Sequence, residues 1–272
     1  MEGYVVAILL IYLISSALIH YFSWRYVFFF SAAFLLLCSI LWIAGLNYAD
    51  RFETTEEITP ENPASLQESR YSLKSKHMIL LLLFVGMALV MQGVLRDGLI
   101  AWVPTYVANI FQIDTSVSIF VTTLLPVINL FGVYAAEFIR KKSGRDEVGT
   151  SLLLFLIAVA GTVLLTVFSK NLAVTLLCFG IVTSCMLGVN TMLVSMLPTY
   201  FAQYGKVSFV SGLLNSCVYI GSSLSTFGIG LIADYMGWNL IIFLLGLISL
   251  FGGIFCIAAS PNWKKFLSKQ IR

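Results

Sequence analysis

Apolar runs alternate with short polar connections along the whole 272-residue chain. A bilayer core ~30 Å thick takes about 20 residues of helix at 1.5 Å rise per residue. Windows of that length fall at 3–20, 25–46, 78–111, 116–139, 148–168, 172–197, 207–233 and 238–259. The pattern predicts an all-α fold, a polytopic membrane helical bundle of eight transmembrane helices. One long polar stretch interrupts it, DRFETTEEITPENPASLQESRYS at 50–72. Its acidic clusters, Pro60 and Pro63, and its few large apolar side chains cannot build a core, so it reads as a flexible linker. The chain divides into two helices (1–46), a linker (47–77) and a six-helix unit (78–272).

Composition agrees with the pattern. The chain is 59% hydrophobic and 11% charged, with mean hydropathy +0.95; soluble domains carry about 25% charged residues. Its first partner is therefore the lipid bilayer. A net charge of +3 is too small to mark a nucleic-acid partner. The first apolar run has no basic start and no cleavage site, so it reads as a membrane helix that stays rather than a signal peptide. Cys38, Cys178, Cys185, Cys217 and Cys256 all fall inside the spans. None has metal or redox spacing, and they read as small apolar packing residues, with no metal or cofactor expected. There is no G-x-S-x-G, no HExxH, no Walker loop and no intramembrane carboxylate pair, which argues against an enzyme.

Charge in the connections alternates from one side to the other. The segments 47–77, 140–147, 198–206 and 260–272 hold thirteen of the lysines and arginines, and the opposite connections hold only Arg25 and Lys170. That bias places the basic side, the linker and both chain ends in the cytoplasm, and it requires an even number of spans.

An internal comparison concerns layout. HYFSWRYVFFFSAAF at 20–34 aligns with DYMGWNLIIFLLGLI at 234–248, setting Tyr21 on Tyr235, Trp24 on Trp238 and Phe29 on Phe243. Helices one and two thus pair with seven and eight, as though they closed an earlier six-helix unit. Six-helix repeats across a cytoplasmic linker resemble the major facilitator superfamily of transporters. In that resemblance the eight spans are helices five to twelve. GVYAAEFIRKKSGRDE at 132–147 resembles the family's basic loop between helices eight and nine, with Glu137 where aspartate is common. KVSFVSGLLNSCVYIGSSLSTFGIGLIADYMGW at 206–238 resembles its eleventh helix and following turn. The resemblance implies a secondary transporter that moves a small polar or anionic solute by alternating access in the cell membrane. It also implies a chain shortened at its N-terminus, for which three readings stay open: a split gene with a separate chain supplying the four missing helices, a misplaced start, or a chain that does not transport alone. The alternative is a non-transporting relic, or a sensor-like regulator that retains the solute-binding half.

The candidate chemistry centres on LRDGLIAWVPTYV at 95–107. This segment is similar to the seventh helix of the organophosphate:phosphate antiporters, at Arg96, Gly98, Trp102, Pro104, Thr105 and Tyr106. Asp97 stands where that family carries tyrosine. The resemblance gives Arg96 the solute's phosphate and makes Tyr219 a site tyrosine. Asn215, four residues before Tyr219, shares its helix face.

From the residues alone, Arg96 lies ~27 Å into its span and ~9–15 Å below Trp102 and Tyr106, read as an outer aromatic belt. Three placements are open for it: lining a cavity, ending a helix at the outer surface, or pairing with an acid on another helix. Neighbouring helix positions point about 100° apart, so Arg96 and Asp97 are not expected to face one small site. Gly98 and Pro104 are expected to bend or break the helix. At the basic loop, Glu137 with Arg140 and Arg145 forms either an ion-paired gate or an interfacial anchor.

Overall fold

The computed structural model describes residues 2–49, 76–144, 146–168 and 170–270. Most of the expected linker, and Arg145, lie outside them. The described residues form α1 (Glu2–Tyr21), α2 (Trp24–Ala49), α3 (Lys76–Phe111), α4 (Thr115–Thr122), α5 (Leu124–Ser143), α6 (Glu147–Phe168) and α7 (Leu172–Asn190). A π-helical segment (Thr191–Met196), a 3-10 segment (Leu197–Tyr204), α8 (Val207–Met236) and α9 (Trp238–Gln270) follow. Among them, seven helices are long and apolar enough to cross a membrane, and Leu10–Tyr21 of α1 is a shorter apolar helix.

Three expected spans differ in form. The span at 116–139 consists of two helices, α4 and α5, parted at Thr123. Pro126, three residues into the second, has no N–H for the Thr122 carbonyl one turn back, which ends the first ladder. The span at 172–197 runs on to Tyr204 through wider and then tighter turns. There the Leu197 N–H donates to the Met192 carbonyl five residues back. Pro198 has no N–H to extend that wider ladder, and the Ser211 hydroxyl of α8 donates to the Val194 carbonyl at 3.3 Å. The third span, α3, is unbroken over 36 residues, or about 54 Å; Gly98 and Pro104 do not interrupt it.

Close backbone contacts join the helices. A Cβ at Gly93 would lie 2.1 Å from the Val218 carbonyl oxygen, and one at Gly221 would lie 2.0 Å from that of Val90. Each glycine therefore admits the other helix's backbone, and α3 and α8 run side by side in the same direction. Small residues permit this approach where lipid offers no hydrophobic drive to pack. Gly132 of α5 meets the Ser184 carbonyl of α7 in the same way, at 2.5 Å from its missing Cβ. Beside it, the Asn129 amide oxygen accepts from the hydroxyls of Thr183 at 2.8 Å and Ser184 at 3.1 Å. The side chains of α2 from Trp24 to Leu46 have no buried share, so that helix presents an apolar surface all round, as lipid requires.

Helix ends are closed locally. Asp114 caps α4, accepting from the Ser116 amide and hydroxyl. Those two bonds hold its carboxyl below the usual carboxylate range. Gly144, Gly205 and Gly237 take φ of 59°, 60° and 81° just past three helix ends, where a side chain would be strained.

Candidate functional site

Arg96 sits mid-way along α3, twenty residues after Lys76 and fifteen before Phe111. Its guanidinium grips Asp97, with Nε donating to Oδ1 at 2.7 Å and Nη2 to Oδ2 at 3.3 Å. The expectation that these neighbours cannot share a site is corrected. The Cα–Cβ bonds diverge, but arginine's long stem folds along the helix and carries the fork to the adjacent carboxylate. The open placement in which Arg96 ended a helix is replaced by a position within one unbroken helix. The side chains are 11% and 18% exposed. A planar fork on a carboxylate is a strong form of charge-assisted bond, and the remaining exposure keeps water in reach.

The helix carrying the pair is held on three sides. One turn earlier, fully buried Gln92 donates from Nε2 to the Met186 carbonyl of α7 at 3.0 Å. Its Oε1 has no hydrogen-bond partner among the described residues. One turn later, the Tyr12 hydroxyl of α1 donates to the Ile100 carbonyl at 2.7 Å. Pro104 explains that bond: lacking an N–H, it leaves Ile100's carbonyl open. Its own carbonyl accepts from Ser118 of α4 at 2.5 Å. The third side is the glycine contact with α8.

Trp102 and Tyr106 do not form an exposed outer belt. Tyr106 is 3% exposed and lies edge-on to Phe179 and Trp238, at 5.3 and 5.2 Å between ring centres. Trp102 donates to the Thr226 carbonyl at 3.1 Å and fills the space beside Gly230. Both rings serve helix packing.

The register between α3 and α8 places the other candidates. Missing Cβ atoms at Gly93 and Gly98 would meet Ser222 and Ser225, so these two serines stand level with Arg96 and Asp97. Tyr219 and Asn215 lie on earlier turns, with Tyr219 about 9 Å along the axis from Arg96 at 1.5 Å per residue. Tyr219 is 60% exposed and Asn215 half-buried. Gln92 and the two serines escape a reading that looks for charge; a Gln one turn from an intramembrane Arg was the available signal.

At the basic rim, Glu137 bonds Lys141 on its own helix at 2.8 Å, with both side chains well exposed. Arg140 instead approaches Glu147 at 3.6 Å, where the carboxylate is 3% exposed. The Tyr200 hydroxyl donates to Glu147 at 2.9 Å, and the Tyr200 ring stands edge-on to Trp263. The arrangement joins α5, α6, the 3-10 segment and α9 through one carboxylate that the sequence reading passed over.

The described residues bring no three metal-ligating side chains together. No curated protein sequence matches the chain. The family model of the Major Facilitator Superfamily matches residues 3–226, from α1 through most of α8. With its apolar helices, its parallel glycine-locked pair and a match over most of its length, the chain belongs to the major facilitator superfamily and is, in that broad sense, a secondary transporter of the membrane.

Proposed function

We propose that the protein moves a small anionic solute by alternating access and that Arg96 holds the solute's anionic group. One observation carries this reading: a mid-membrane guanidinium, nearly enclosed, whose fork already grips an oxyanion, the carboxylate of Asp97. Phosphate and carboxylate both fit that fork. An organic phosphate is the class that the similarity to organophosphate antiporters favours. Tyr219 and Asn215, a few turns along α8, contact the remainder of the solute. At the basic rim Arg140 and its neighbours Glu137 and Arg145 hold the cytoplasmic side closed.

The test is binding of inorganic phosphate to the full chain in lipid nanodiscs, against an uncharged sugar as control. Arg96→Ala abolishes phosphate binding at unchanged folded yield. Arg96→Lys keeps the charge but loses the fork; one charge-assisted bond at ~1.5–3 kcal/mol makes it weaker by about tenfold or more. Phosphate binding by Arg96→Ala equal to the parent's makes Arg96 structural and ends the reading.

A further inference from the structure

The start of α3 and the end of α9 are joined by a polar bridge that contains no acid. His77 meets Asn262 Oδ1 through Nδ1 at 3.3 Å and the Lys265 ammonium through Nε2 at 3.0 Å. Those partners fix the form of the ring. Nε2 accepts from the lysine, so the ring proton sits on Nδ1 and is donated to the amide oxygen. The bridge is one positive charge steadied by a neutral ring. We infer that this end of the α3–α9 pair binds the phosphate of an anionic phospholipid from the membrane leaflet on that side.

Charge gathers at the bridge without being cancelled. Lys76 and Lys264 each stand one residue from it and, like Lys265, are exposed. Among the described residues no acid pairs with any of the three, whereas Arg140 and Lys141 at the end of α5 have Glu147 and Glu137. An ammonium carries three N–H donors. Lys265 gives one to His77 and keeps two for phosphate oxygens. The ring also holds the long lysine stem in place, which reduces the rotamer freedom lost on binding.

What lies below the lysines selects a lipid over a soluble phosphate. Residues 78–91 of α3 and 250–259 of α9 carry no charge. Leu80, Leu83 and Met87 on α3 and Phe251, Ile254 and Ile257 on α9 are exposed there. The rise from His77 to Met87 is ~15 Å, the acyl depth of one leaflet in a core of about 30 Å. A soluble anion uses the lysines alone. A lipid sets its phosphate on them and lays its chains along the apolar faces beneath.

The experiment is native mass spectrometry of the full chain in detergent micelles, titrated with phosphatidylglycerol or with phosphatidylcholine of the same acyl chains. The parent should retain one phosphatidylglycerol in preference to phosphatidylcholine. Near an anionic surface each lysine contributes about fivefold in affinity, so Lys264→Gln with Lys265→Gln should weaken retention by about 25-fold. Lys76→Gln carries the test from α3 alone, with a loss of about fivefold. Lys141→Gln with Lys142→Gln removes the same charge from the end of α5 and should leave retention nearly unchanged. Thermal midpoints matching the parent's separate lost binding from unfolding. Glycerol 3-phosphate, a headgroup without chains, should not displace the lipid. Equal retention of the two lipids by the parent, or equal losses from the two double variants, overturns the site. Displacement by glycerol 3-phosphate at concentrations comparable to the lipid's makes the ligand a soluble anion and overturns the lipid assignment.

Discussion

Two carboxylates near the basic rim differ in burial, and so in what they do for the fold. A buried carboxylate is tolerated only with partners, because removing it from water costs several kcal/mol. Glu147 has its partners in the Tyr200 hydroxyl and the Arg140 guanidinium. Tyr200→Phe removes the donor that comes from the 3-10 segment, and should lower stability by about 1.5–3 kcal/mol, read as a lower thermal midpoint in detergent. Glu137→Gln breaks only an exposed pair within one helix, and such pairs contribute little; its midpoint should match the parent's. Equal shifts from both variants would deny that burial separates them. Sequence made Arg96 legible as a charge set deep in an apolar run. It did not show the grip on Asp97, which depends on how a long stem folds rather than on where Cβ points. Glu147 was illegible for another reason. Next to RKKSGRD it reads as one more rim charge, and its burial is made by Tyr200, 53 residues away, and by the Trp263 ring against that tyrosine.

Among elements, proline has a second effect beyond interrupting a ladder. Pro104 frees the Ile100 carbonyl one turn back, and Tyr12 of a neighbouring helix donates to it. In hydrocarbon an open carbonyl is costly, so the proline becomes a docking point for the next helix. The prediction is a double-mutant cycle. Tyr12→Phe alone should cost about 0.5–1.5 kcal/mol. In a Pro104→Ala background, residue 104 has an N–H for Ile100, the tyrosine bond is redundant, and the cost should shrink by ~0.5 kcal/mol or more. Additive effects on thermal unfolding would refute the docking role. Span positions were legible because every lipid-facing turn must be apolar. The break at Thr123 had only Pro126 to announce it, and the passage from α7 into π and 3-10 turns had only Pro198.

Across the whole molecule, basic side chains collect at one rim. His77 at the start of α3 meets Asn262 and Lys265 near the end of α9, at 3.3 and 3.0 Å, and Arg140 lies at that rim with Glu147. The positive-inside bias favours a cytoplasmic position for that rim, which remains a proposal to be tested. A reporter active only in the cytoplasm, fused after Arg272, should be active, and activity restricted to fusions in the 170-side connection would reverse the orientation. The glycine contact between α3 and α8 has a mechanical consequence at this scale. Side chains usually pad neighbouring helices, and padding permits roll and slip. Here backbone meets backbone, and rotating either helix by one position would drive a Cβ into a carbonyl. α3 and α8 therefore act as one stiff beam with Arg96 fixed along its length. Compliance concentrates where ladders are already interrupted, at Thr123 and across Thr191–Tyr204. Any rocking of the bundle is therefore expected to bend it at those joints, with the beam and the arginine on it moving undeformed.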